Sequence, residues 1–285
     1  MVRVKINQLK YLSIITTENE NNYTMRNLIL STACGLEPEN IEFFLKSLRK
    51  FYLEEICFLV GKKDYKTKII LEKYNSQFLE INENKYDVQL KRYNYYLDIL
   101  NKKKYKNILV CDSRDIYFQS NPFDYDYKGD INFFLEDQKI KNCTHNSNWL
   151  IKAYGNKIFE NLSEKIISCS GTTLGTLEGM KNYLTLMIDC SKKYKYKKKL
   201  KYLLTFRRDK AGRGVDQAHA NFIAHNKLVK NSHFYQNLDG PIATVYHLKK
   251  LMFNKNSELM NSKNEPYVIV HQYDKRWNEF SLHVG

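Results

Sequence analysis

Lys106-Asn-Ile-Leu-Val-Cys-Asp-Ser-Arg-Asp-Ile-Tyr-Phe-Gln-Ser-Asn-Pro-Phe123 is the stretch whose reading decides the fold. It opens, after a lysine-rich turn, with the apolar run Ile108 to Cys111. A short run without polar alternation fits a strand covered on both faces, as in a parallel sheet between helices. The run stops at Asp112, Ser113, Arg114 and Asp115, and Pro122 soon bars a helix. In open α/β sheets, ligands sit beyond the carboxyl ends of the strands. Two carboxylates and a guanidinium placed there suit a cation and a phosphate. Residues three apart in extended backbone face opposite sides, so Asp112 and Asp115 converge only if the chain turns at Ser113. A plain turn, with both carboxylates merely capping and pairing with Arg114, is the competing explanation.

Upstream of this stretch, helical and extended patterns alternate. Tyr11 to Thr17 (YLSIITT) is apolar and β-branched and predicts a first strand. Ile41, Phe44, Leu45 and Leu48 recur at helical spacing behind Pro38 and Asn40. Ile56 to Val60 predicts a second strand, Tyr65 to Tyr74 a helix, and Gln77 to Ile81 a third strand. Val88 to Asn101 predicts a helix with Leu90, Tyr93, Leu97 and Leu100 on one side, delivering the chain to Ile108. This β-α-β-α-β-α-β order predicts an α/β fold with a mostly parallel, doubly wound sheet. Downstream, Asp130 to Glu136 predicts a strand and Asn146 to Asn161 a helix. Ile166 to Cys169 leads into Ser170-Gly171-Thr172-Thr173, whose small residues suggest a turn that a sugar approaches closely. Further helices are expected from Leu177 into the lysine run and from Gly214 to about Asn226. The tail ends in an apolar strand, Tyr267 to Val270. No repeat or linker is visible. One domain over residues 1–285 is expected, with a nucleotide-binding half to about residue 125 and an acceptor half after it.

A chain of 285 residues with 22 Tyr and 15 Phe is long and apolar enough to bury a sizeable core. The apolar runs are too short to span a bilayer, and Met1 to Leu12 lacks the apolar centre of a secretory signal. The six cysteines form no Cys-x-x-Cys pair, so reduced thiols in a cytoplasmic protein are expected rather than a disulfide frame or a zinc site. The net charge of +15 calls for an anionic partner. Part of it is concentrated in Lys192 to Lys201, seven lysines in ten residues. A solvated face is the simple explanation; peripheral contact with an anionic membrane at its cytoplasmic side is the sharper one. No nucleic-acid motif accompanies the run, and no nucleic-acid partner is expected.

Other candidates sit at element ends. His271, followed by Gln272, Asp274, Lys275 and Arg276, closes a second apolar strand and forms a cluster suited to a cation and a diphosphate together. Asp216 stands at a helix start, where a carboxylate is an ordinary cap or a general base for an acceptor hydroxyl. Glu136, at another strand end, competes for the same role. Lys91 and Arg92 precede the central strand on a helix, where salt bridging on a solvated face or contact with a diphosphate are the choices. Trp149 and Tyr154 read as core, with sugar stacking as a further role for Trp149.

Taken together, Lys91-Arg92, Asp112-Ser113-Arg114-Asp115-Ile116-Tyr117-Phe118-Gln119, Asn121-Pro122-Phe123, Asn148-Trp149, Ala153-Tyr154-Gly155, Ser168 to Gly175, Gly214-Val215-Asp216-Gln217, Asn237 to Pro241 and His271-Gln272-Tyr273-Asp274 resemble a family of GT-A-fold glycosyltransferases. The resemblance spans Tyr11 to Trp277. It implies a GT-A fold and transfer of a sugar from a nucleotide donor, UDP-linked as first choice, to a hydroxyl of a glycan or glycolipid, with Mn²⁺ or Mg²⁺. Asp115 would take the place of the final Asp in an Asp-x-Asp metal motif, and His271 that of the carboxy-terminal metal or diphosphate ligand. Ser113 replaces the first Asp of that motif, with Asp112 supplying a carboxylate one position earlier. Thr16, Thr17, Arg92, Asp112, Ser113, Arg114 and Lys275 are the expected nucleotide contacts. Ser170, Gly171, Thr172, Thr173, Gln217 and Trp149 are the expected substrate contacts, and inversion with Asp216 as base is slightly preferred. A nucleotide-sugar hydrolase of the same fold and a basic, non-enzymatic membrane or nucleic-acid binding protein are the rival expectations.

Overall fold

The computed structural model describes residues 25–83, 87–205 and 214–284. The expected strand at Tyr11 to Thr17, with Thr16 and Thr17, lies outside them. The first half runs β1 (Leu28–Thr32), α1 (Glu39–Arg49), β2 (Glu55–Gly61), α2 (Tyr65–Lys73), β3 (Gln77–Ile81), α3 (Val88–Leu100) and β4 (Asn107–Cys111). It continues through β5 (Ile116–Phe118), β6 (Ile131–Lys139), α4 (Thr144–Tyr154), α5 (Asn156–Leu162), β7 (Ile166–Thr176) and α6 (Leu177–Thr205). The chain then forms α7 (Val215–His225), β8 (Ser232–Tyr235), β9 (Ile242–Thr244), β10 (Ile269–His271) and α8 (Trp277–Phe280).

Seven strands form one sheet in the order β3-β2-β1-β4-β7-β6-β8. The pairs among β3, β2, β1 and β4 are parallel, as is β6 with β8; β7 alone runs antiparallel to both of its neighbours. This is a Rossmann-like α/β arrangement with β4 at its centre. The apolar run read in β4 is buried on both faces for the expected reason. Ile108 and Val110 pack with Leu28, Leu30, Tyr93, Tyr96 and Met180 on one side. Leu109 and Cys111 pack with Ile29, Phe44, Leu45 and Phe58 on the other. Alternate residues thus feed two cores, one under α3 and α6 and one under α1.

Local signals place the helices. α1 carries Glu39 and Glu42 in its first turn and Lys46 and Arg49 in its last, matching the helix dipole. Arg49 also donates to the carbonyls of Tyr74 at 2.9 Å and Asn75 at 2.7 Å, tying α1 to the turn before β3. The helix expected over Asn146 to Asn161 is two helices, because Gly155 adopts φ 87° and closes α4 before α5 begins. The segment Ser170 to Thr173 is not a turn but the middle of β7, paired through Thr172 with Cys111 and through Thr173 with Val110. A smaller sheet, β5-β10-β9, is not hydrogen-bonded to the large one but shares a core with it through Ile116, Phe118, Ile242 and Ile269; its β5 and β10 are antiparallel. The six cysteines are free thiols, and no described helix is long and apolar enough to cross a membrane.

Beneath α4, α6 and α7, Leu150, Ala153, Tyr194, Val215 and Ala218 form a further core. His219 lies beside it, 1% exposed, with Nδ1 2.7 Å from the Tyr154 hydroxyl. Burial disfavours its charged form and pushes its pKa from 6.5 down to about 4. An unfolded chain takes up this proton at the higher of those values, so it binds more protons than the folded one in between. The His219 contribution to stability therefore falls as pH drops through that window, by about 3 kcal/mol in all. Glu136, raised to about 7, acts in the opposite sense over much of the same range, so the check is a difference. In urea unfolding at steps from pH 7 to pH 4, wild type should lose about 3 kcal/mol relative to His219→Gln.

Candidate functional site

The site begins where β4 ends. The Asp112 N–H donates to the Gly171 carbonyl at 2.9 Å, carrying the β4–β7 pairing one residue further. The Ser113 hydroxyl then donates to the Thr32 carbonyl at 2.7 Å, pinning the turn to the end of β1. This is the turn that lets Asp112 and Asp115 face one region. Asp115 leads directly into β5, and β10 pairs with β5 so that His271 stands opposite Ile116. The Gln272 N–H donates to the Asp115 carbonyl at 2.8 Å, and Gln272 adopts φ 61°, turning the chain away at once. Two strand ends far apart in sequence are thereby held side by side.

The outcome is a compact donor set. One ligand atom each from Asp112, Asp115 and His271 lies within 4.8 Å of the others. His271 Nε2 is 3.6 Å from Asp115 Oδ1, and Nδ1 is 3.4 Å from Cys169 Sγ. Nε2 is buried and has no hydrogen-bond partner. Gly171 makes the room: a Cβ there would stand 2.7 Å from His271 Nε2 and 2.9 Å from Asp112 Oδ2, closer than atoms of that kind pack.

A second link ties this set to α7. Arg92 of α3, 5% exposed, donates to Asp112 Oδ1 at 2.9 Å, to Asp216 Oδ2 at 3.1 Å and to the Tyr93 hydroxyl at 3.2 Å. Of the two choices for Arg92, the solvated helix face is excluded: the guanidinium is buried between two carboxylates. Lys91, its neighbour, does face outward and pairs with Glu83 at 3.1 Å. Gly214, at φ 76°, precedes α7, and a side chain there would run into the Trp149 indole. That close approach brings Asp216 and Gln217 beside Trp149.

These groups line one cavity of about 300 Å³. Its wall includes Asp112, Asp115, Glu136, Trp149, Ser170, Gly171, Asp216, Gln217, His271 and Lys275. Other expected residues are placed elsewhere. Ser113 points back at β1, as its hydrogen bond shows. Thr172 and Thr173 are buried inside the sheet and are absent from the wall. Arg114 is half exposed and reaches Asp274 at 3.4 Å and Asp115 at 3.8 Å, outside the wall. Gln217 chiefly braces β7, accepting from the Ser170 N–H at 2.8 Å and donating to the Ser168 carbonyl at 2.7 Å. Residues not singled out from sequence join the wall: Gln89, one turn before Arg92; Cys169; His145, whose ring stacks on Trp149 at 5.6 Å; and Tyr246 with His247. Only Cys169 sat within a quoted motif.

Burial is the largest single influence on Asp115, His271, Asp216 and Glu136, but it sets the direction only at Asp216 and Glu136. It pushes the Asp115 carboxyl up, but His271 and Arg114 outweigh it and hold Asp115 below the usual range. It pushes His271 down, but Cys169 and Asp115 outweigh it and hold the imidazole well above its usual range. Asp216 is raised, because burial and Asp112 outweigh Arg92. Glu136 is raised to about 7 by burial, with His271 and Cys169 partly opposing; His247 Nε2 lies 3.8 Å from its carboxylate.

No known family model matches the chain, and no curated protein matches it significantly. One prediction tests the close approach at Gly171. Gly171→Ala should cost about 1–3 kcal/mol in urea unfolding, as overpacking against the His271 ring does in a filled interior, whereas Ser170→Ala, next to it in β7, should cost less.

Proposed function

We propose that this protein is a glycosyltransferase that moves a sugar from a nucleotide-linked donor, UDP-linked as first choice, to a hydroxyl of a glycan or glycolipid, with Mn²⁺ or Mg²⁺ as cofactor. The observation that carries this reading is the convergence of Asp112, Asp115 and His271 at the carboxyl end of the central strand. Two carboxylates with one imidazole suit a hard to intermediate dication, Mn²⁺ ahead of Mg²⁺. The fit is supported by the buried, unpartnered Nε2 of His271 and by the space that Gly171 leaves beside it. When bound, such a cation offsets the charge that builds on a departing diphosphate.

The remaining roles follow from placement. Asp115, Asp112 Oδ2 and His271 Nε2 would hold the cation. The Cys169 sulfur beside Nδ1 fixes the imidazole's orientation, as outer partners of metal-bound histidines do. Lys275, on the cavity wall, offers its ammonium to phosphate oxygens. The stacked Trp149 and His145 rings offer a flat face to a sugar. For the base that accepts the acceptor's hydroxyl proton, the geometry favours Glu136 over Asp216. Asp216 is engaged by Arg92, while Glu136 lines the cavity with a pKa near the working range of a general base.

A thermal-shift panel of nucleotides and nucleotide sugars, each with and without Mn²⁺, tests the reading. The melting temperature should rise most with a UDP-linked donor and Mn²⁺ together, corresponding to about 2.7 kcal/mol at a hundredfold excess over Kd. Asp115→Asn and His271→Gln should lose this shift. Glu136→Gln should keep the shift and lower transfer by about 10²-fold or more. Normal transfer by Asp115→Asn with metal supplied would overturn the proposal.

A further inference from the structure

Away from the cavity, a second pocket of about 530 Å³ opens between α4, α6 and α7. This is within the range of small-ligand sites. Its walls are mainly apolar: Ala153 and Tyr154 of α4, Phe222 of α7, and Tyr194 and Tyr196 of α6. The Tyr154 and Phe222 rings stack with centroids 4.2 Å apart. His219 completes the wall as an uncharged ring, since burial keeps it from protonating at neutral pH.

The rim has the opposite character. Lys192 and Lys193 stand at the pocket, and the exposed Lys195 and Lys199 follow them on the same helix. Among the acidic groups near this rim, Asp189 approaches Lys192 at 3.9 Å as an exposed pair. Glu83 lies close enough for Lys195 to help hold its carboxyl below the usual range, though Lys91 and Tyr95 are its bonded partners. Tyr196 is 71% exposed at the outer edge, an aromatic ring held out to solvent beside lysines. An apolar pocket under a cationic rim complements an amphiphile with an anionic head. A nucleic acid would engage the lysines but has nothing to place among Ala153, Tyr154 and Phe222.

We propose that this pocket takes one acyl chain of an anionic phospholipid in a bilayer, with the α6 lysines on its headgroup. The proposal stands on a different part of the molecule from the cation site and is independent of the transfer reaction.

Co-sedimentation of the full chain with vesicles tests it. Vesicles of phosphatidylcholine with phosphatidylserine should carry the protein down at low salt, and pure phosphatidylcholine should not. The pair Lys192→Ala with Lys193→Ala should weaken binding about 25-fold, at about fivefold per basic residue. Ala153→Leu, which fills the pocket, and Tyr196→Ser, which removes its outer wall, should each weaken binding severalfold with an unchanged circular dichroism spectrum. If Ala153→Leu does not fold, Tyr196→Ser carries the test. No sedimentation with anionic vesicles, full competition by a short DNA duplex, or pocket variants that bind like wild type while only the lysines matter would each overturn it.

Discussion

A buried guanidinium governs the arrangement of this protein. Taking the charge of Arg92 out of water is costly unless it is paired. Asp112 and Asp216 supply that pairing, one from the end of β4 and one from the first turn of α7. Three elements that share no local sequence are thereby locked to one another. The bond also divides the work of Asp112: Oδ1 faces Arg92, while Oδ2 lies on the side of Gly171 and His271. A carboxylate so held has little rotational freedom left to lose to the proposed cation.

Around this clamp Asp112, Asp115 and Asp216 face the fixed charge of Arg92, that of Arg114 at 3.8 Å from Asp115, and a titratable imidazole. Asp115 and His271 each bias the other toward its charged form, which is how a buried acid and base coexist. Glu136 has no guanidinium partner: burial raises it to about 7, with His271 and Cys169 partly opposing, and it is the proton acceptor of the proposed transfer. Placing a structural carboxylate and a proposed reactive one in one cavity requires different surroundings, and the Arg92 contact is the difference.

Much of this was legible in the chain. The apolar run Ile108 to Cys111, the helical spacing of Ile41, Phe44, Leu45 and Leu48, and the strand at Gln77 to Ile81 all follow from periodicity and are found as expected. The turn at Ser113 followed from the need for Asp112 and Asp115 to converge. The strand character of Ser170 to Thr173 was hidden behind the turn-like Ser170-Gly171 pair, although Thr172 and Thr173 are β-branched. They are extended because β4 and β6 flank them and bond their backbone on both sides. The break at Gly155 was hidden in a continuous helical pattern. The burial of Arg92 was invisible for a deeper reason: its partners lie on other elements, and no local window contains them. His145, Tyr246 and His247 reach the cavity through tertiary packing alone.

The pairing of β5 with β10 brings together Asp115, from the first half of the chain, and His271, from its last few turns. On a ribosome the two acidic side chains emerge long before the imidazole does. A partly synthesised chain therefore holds only the oxygen half of the proposed ligand set, and the nitrogen half arrives when β10 docks. Completion of that set is in this way a late assembly step, reserved for a polypeptide whose distal strand has found its place.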